Sequence, residues 1–161
     1  AESADLESSS VDLITVAQAL HWFNLEAFYA NVRRVLAPDG LIAVWCYTLP
    51  SVNEAIDAVM MRLYRDITSP YWPADRKHVE DRYERIPFPF DEIRPTPPFA
   101  CRFDWTLAEY VNYLSSWSGS QGYMQAHGTD PLSLVRRDFE SAWGGAERRA
   151  VSWPIHLRVQ K

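Results

Sequence analysis

The stretch VDLITVAQALHWF (residues 11–23) is nearly continuous in apolar residues as far as Leu20, and several of them are β-branched. Such a run suits a strand buried on both faces, as in a parallel sheet. Asn24 follows as a helix cap, and Leu25, Phe28, Tyr29, Val32, Val35 and Leu36 recur at helical spacing. Pro38-Asp39-Gly40 predicts a tight turn, and Leu41 to Tyr47 (LIAVWCY) a second buried strand. Strand, helix, turn and strand in succession make a βαβ unit with parallel strands.

Outward from this unit the signals are local. Ser51 and Glu54 are spaced as a capping box, opening a helix with Val52, Ile56, Val59, Met60, Leu63 and Ile67 on one face. Residues 69–98 hold seven of the eleven prolines and read as a long irregular connection, with Tyr71, Trp72, Tyr83, Phe88 and Phe90 as aromatic anchors. Residues 99–104 suit a short strand. Thr106 and Glu109 make a second capping box, with Trp105 and Tyr110 spaced as a hydrophobic staple, for a helix reaching about Trp117. Asp130-Pro131 begins another helix that Gly144-Gly145 ends. From Val151 to Val159 apolar residues alternate with Ser152, Pro154, His156 and Arg158, predicting a half-buried antiparallel strand near an edge or a bulge.

The composition is that of a globular chain of 161 residues, 47% apolar and 23% charged. A net charge of −5 leaves no basic excess for phosphates, so nucleic acid is not an expected partner. Cys46 and Cys101 show no metal-ligand spacing, and His78, His127 and His156 are isolated, so no metal is expected. Free cysteines make the cytoplasm the expected compartment. No apolar run reaches membrane-spanning length, and no membrane partner is expected. No GxSxG elbow supports a hydrolase. Arg33 and Arg34 read as solvated helix residues.

Residues 11–23 resemble the fourth strand of class I S-adenosylmethionine-dependent methyltransferases, more narrowly the branch of trans-aconitate methyltransferases and plant embryo-abundant-type proteins. Leu36-Ala37-Pro38-Asp39-Gly40-Leu41 resembles the turn into that fold's fifth strand. Leu114-Ser115-Ser116-Trp117-Ser118 and Val151-Ser152-Trp153-Pro154 resemble later pieces of the same branch. The resemblance implies an α/β fold: strands 4, 5, 6 and 7 of a Rossmann-like sheet ordered 3-2-1-4-5-7-6, with a helical cap insertion. It implies one partial domain: a βαβα core over 1–68, loop and cap helices over 69–145, and a terminal antiparallel strand over 146–161. The family's glycine-rich loop and the acidic residue ending strand 2 have no counterpart here, so a truncated, C-terminal portion is expected.

The same resemblance implies a site for S-adenosyl-L-methionine. Ala1 and Glu2 would lie against the adenine, which needs an apolar slot and a hydrogen-bond acceptor. Gln18, Ala19, His21 and Trp22 would line the methionine part, at a strand end where open α/β sheets bind ligands, with Trp22 facing the sulfonium. Trp22, Tyr47, Trp117, Ser118 and Tyr123 would contact a small-molecule substrate. No catalytic acid or base is assigned. Two other readings remain open: a catalytically inactive fragment that forms a homodimer through the exposed edge of its first strand, and a small-ligand-binding α/β module.

Overall fold

The computed structural model describes residues 1–93 and 97–161. In chain order it has β1 (Val11–Ala17), α1 (Leu25–Val35), β2 (Leu36–Tyr47), α2 (Glu54–Arg62), α3 (Arg76–Glu80), β3 (Glu92–Ile93), β4 (Phe99–Trp105), α4 (Leu107–Ser115), α5 (Ser118–His127), α6 (Arg136–Trp143) and β5 (Arg149–Gln160). This is a mixed α/β fold. The chain divides into two compact units: residues 1–48, 75–100 and 154–161, and residues 49–74 and 101–153.

The first unit holds the βαβ motif. β1 and β2 pair in parallel, and β2 pairs antiparallel with β5, from Ile42↔Gln160 to Tyr47↔Ile155. β3 adds to the other edge of β5. Asn24 caps α1 as expected, its side chain accepting from the Ala27 N–H. The buried face of α1 (Phe28, Tyr29, Val32) packs on Val16, Ile42, Val44 and Cys46, joined by Val79, Tyr83 and Ile86. Two expectations change. β1 is not buried on both faces: it ends the sheet, Leu13 is 55% exposed, and only Val16 is buried. Pro38-Asp39-Gly40 makes no turn, because β2 runs through it as a bulge. The partners jump from Leu36 to Leu41 while β1 advances from Val11 to Leu13. Arg33 and Arg34 are also more than solvated. Arg34 donates to the Leu6 and Ala4 carbonyls at 2.6 and 2.7 Å, and Arg33 sits over the Phe90 ring.

The second unit is mostly helical. α2 is capped by Asn53, which accepts from the Ile56 N–H, while Ser51 donates to Asp57 instead of forming a box with Glu54. A π turn, Leu63–Ile67, continues the helix. The Thr106–Glu109 box forms in both directions. Trp105 packs on Tyr113 and Trp153, and Tyr110 on Phe139 and Trp143. Two elements occupy the stretch expected as one helix after Asp130: a 3-10 turn, Pro131–Leu134, then α6. α5 was not expected. Its Gly119 lies under Trp72, where a Cβ would come within 2.6 Å of the ring. β4 pairs with β5. Part of the proline-rich connection, residues 94–96, lies outside the described residues. No described helix is long and apolar enough to cross a membrane.

Gly40 is the tight point of the bulge. A Cβ there would meet the Val11 carbonyl at 2.9 Å and the Leu36 side chain at 2.8 Å. The carbonyl is backbone and cannot swing aside. Gly40→Ala is therefore expected to lower stability by about 1–3 kcal/mol, the usual penalty of overpacking. Urea unfolding measures it; a loss under about 0.5 kcal/mol contradicts this placement.

Candidate functional site

At the C-terminal ends of β1 and β2 the first unit builds a compact polar and aromatic cluster. Gln18, the residue after β1, has φ 50°, a left-handed conformation that side chains rarely adopt. Its strain, roughly 1–2 kcal/mol, is offset by three bonds to β2. The Gln18 N–H donates to the Trp45 carbonyl at 2.9 Å. Its side-chain amide donates to the Tyr47 carbonyl at 3.2 Å and accepts from the Tyr47 N–H at 2.8 Å. Each such bond is worth roughly 0.5–1.5 kcal/mol net, so the left-handed turn is sustained. The amide acts as one more rung between the parallel strands.

The chain then closes a 3-10 turn, Leu20–Trp22, with Leu20 fully buried as its anchor. That projects His21 inward and Trp22 outward. His21 Nδ1 lies 2.7 Å from the Tyr83 hydroxyl, and the Trp22 indole N–H donates to His21 Nε2. An indole N–H only donates, so Nε2 is the acceptor and the proton of a neutral imidazole sits on Nδ1, facing Tyr83. Burial drives the His21 pKa down to about 4; Arg76 and His78 add to the effect, and Asp75 opposes it. The imidazole is neutral at pH 7. Burial also pushes the Tyr83 hydroxyl up. Trp22 itself is 74% exposed.

Tyr83 was read from the sequence only as an aromatic anchor. Arg82 and Tyr83 have φ values of 55° and 60°, at a further strain of roughly 1–2 kcal/mol each. The Tyr83 ring is 1% exposed, and burying such a ring returns roughly 2–3 kcal/mol. The Tyr83 N–H bonds the His78 carbonyl at 2.9 Å, and Arg158 donates to the Tyr83 and Ile86 carbonyls at 2.8 and 3.1 Å. Strain of this kind gathers at functional sites. No periodic signal in the proline-rich stretch marks this residue.

Beside the cluster, the outer edge of β1 and the facing side of α1 enclose a groove of about 300 Å³. Ala1, Ala17, Ala19, Phe23 and Phe28 are among the residues lining it. Glu2 lies next to it, its Oε1 accepting from the Asn24 N–H at 3.0 Å. Backbone N–H groups of Glu2 and Asn24 hold this carboxyl below its usual pKa.

The expected residues thus fall into groups. Gln18 and Tyr47 bond each other at the strand ends, Tyr47 through its backbone, and His21 and Trp22 bond each other in the turn that follows β1. Ala1 and Ala19 line the groove. Trp117, Ser118 and Tyr123 belong to the second unit. Trp117 packs against Tyr64, Trp72 and Tyr113, Ser118 opens α5 in an exposed position, and Tyr123 stacks on His127 with centroids 4.2 Å apart.

The family model described as "Methyltransferase domain" matches residues 1–44. A protein of Dictyostelium discoideum described as a methyltransferase is 33% identical over the whole chain, which spans 64% of that relative. A Saccharomyces cerevisiae protein described as an S-adenosylmethionine-dependent methyltransferase is 42% identical over 56 residues, 35% of this chain and 19% of its own length. The solved structure of a type II methyltransferase from Anaeromyxobacter dehalogenans is 37% identical with a TM-score of 0.92, covering 99% of this chain and 68% of that one.

The neutral His21 gives stability a pH dependence of definite sign. An unfolded histidine titrates near 6.5 and the folded one near 4, so the unfolded chain takes up the proton first as pH falls. The contribution is complete above about pH 6.5 and is lost progressively down to about pH 4. His21→Gln is expected to reduce this slope, leaving a remainder from His156, which burial also lowers. Urea unfolding at pH 7 and 4.5 tests it; identical slopes in both proteins contradict it.

Proposed function

The chain belongs to the class I methyltransferase family, and we propose that its first unit carries part of a binding site for S-adenosyl-L-methionine, used to methylate a small molecule. The observation that carries this reading is the exposed Trp22 ring, held by its own N–H at the end of a parallel strand pair, where open α/β sheets bind ligands.

The residues present fit the cofactor. The groove bordered by Ala1 and Ala19 is apolar, as a purine requires, and of a size usual for ligand clefts. Glu2 beside it is a carboxylate whose Oε1 accepts from Asn24 and which can accept further hydrogen bonds. Trp22 offers an aromatic face to a cation. When bound, the cofactor supplies a methyl group already activated on sulfonium. The chain's contribution is orientation: Gln18 fixes the strand ends, the Leu20–Trp22 turn presents the indole, and the neutral His21 holds it.

A second reading rests on β1, which ends the sheet with Leu13 exposed. In it, the chain pairs with a second copy along that edge.

Calorimetric titration with S-adenosyl-L-methionine and with S-adenosylhomocysteine, with solution mass measured on the same sample, tests both readings. The first predicts that each ligand binds and that the sulfonium is preferred by about 2- to 30-fold, the range of a cation–π contact. Trp22→Leu is expected to abolish the preference while both ligands still bind. Binding of neither ligand to a folded sample overturns the proposal. A monomeric mass overturns pairing through β1.

A further inference from the structure

We propose that Tyr83 is a positioning residue for this site: through His21 it sets the attitude of the Trp22 ring. The inference rests on the cofactor reading above for its purpose, but its geometry stands apart from it. A neutral imidazole has one donor and one acceptor. Trp22 takes the acceptor and the Tyr83 hydroxyl takes the donor. Without Tyr83 the ring loses the partner that holds its Nδ1 edge in place. The imidazole would then turn about its side-chain bonds, and Nε2 would leave the indole N–H. Tyr83 therefore acts on Trp22 without touching it.

The placement is specific. The Tyr83 ring is buried among Val79, Ile86 and Cys46, and its centroid lies 5.8 Å from that of His21. Leu20, one residue before His21, is fully buried. Trp22 has the opposite character: it is the most exposed large apolar side chain named in this site. An indole in open water samples several rotamers, and its N–H bond to His21 restrains it. The restraint on the ligand-facing ring is thus handed from a rigid buried phenol through one histidine. Two consecutive left-handed residues, Arg82 and Tyr83, turn the chain so that the hydroxyl reaches Nδ1. The charged or titratable groups facing His21 from α3 and its approach, Asp75, Arg76 and His78, influence its proton affinity; the tautomer follows from the Trp22 hydrogen bond.

Proton–nitrogen NMR on the whole chain reads this without any ligand. The seven tryptophans give seven indole signals, and loss of one in Trp22→Phe identifies Trp22. In Tyr83→Phe that signal is expected to move upfield and to exchange with water about tenfold faster, the factor of one ordinary hydrogen bond, while the other indoles keep their positions. An unmoved Trp22 signal in folded Tyr83→Phe overturns the proposal. Should that variant fail to fold, the wild-type His21 tautomer decides: long-range nitrogen couplings must report Nδ1–H, and Nε2–H overturns it. A ligand readout then separates this inference from the cofactor reading. Tyr83→Phe is expected to lose the preference for the sulfonium, and to lose nothing further in a Trp22→Leu background. Failure of the wild type to bind either ligand counts against the cofactor reading, while the indole signal still judges Tyr83. Retention of the full preference in Tyr83→Phe overturns the positioning role.

Discussion

The Gln18 clamp is the contact on which the candidate site depends. Parallel strands diverge once their ladder ends, and the chain after β1 must leave the sheet sharply. Gln18 does both jobs. Its left-handed backbone turns the chain, and its amide mimics a peptide group by exchanging two hydrogen bonds with Tyr47. The strand ends are thereby held in register, and the Leu20–Trp22 turn begins from a fixed point. Everything beyond the strand end follows from that point: the buried Leu20, the inward His21, the outward Trp22, and Asn24 opening α1.

A second constraint reaches the same place from far along the chain. Tyr83 comes from the segment after α3, yet its hydroxyl lies against His21. Arg158 on β5 secures that segment by bonding two of its carbonyls and lying over Phe88, 4.3 Å from the ring centroid. One distant segment thus bonds His21 directly, and β5 secures that segment. Among the described residues, three of the four left-handed non-glycine residues, Gln18, Arg82 and Tyr83, belong to this cluster. Their summed strain is tolerable because each is tied by hydrogen bonds or burial. Such over-determination suits a surface that must present one ring in one orientation.

How much of this was legible in the sequence depended on how local the cause was. The βαβ unit, the Asn24 cap and the Thr106–Glu109 box were readable because each is set within a few residues. Pro38-Asp39-Gly40 misled because its turn chemistry was outweighed by pairing to β1, with Gly40 admitting the close approach of Val11. α5 was invisible because its serines and glycines carry no apolar stripe; Gly119 and Gly122 are small because Trp72 and Tyr71 lie on them. The Ser51 box gave way to Asn53, since Asp57 claimed the serine hydroxyl. Of the candidate site, the strand-end residues were singled out through the family resemblance, whereas Tyr83 depends on a contact 62 residues away from His21 and leaves no periodic trace.

The most direct test of this account is amide hydrogen exchange at Tyr47, whose N–H donates to the Gln18 side chain rather than to a strand partner on that side. In Gln18→Ala the Tyr47 amide is expected to exchange about tenfold faster, the factor of one lost hydrogen bond, while Val44, deeper in the sheet, keeps its rate. Gln18→Glu, which retains the acceptor oxygen, should preserve the slow rate. Unchanged Tyr47 exchange in folded Gln18→Ala would mean that the strand ends hold together without the clamp, and the central claim would fall.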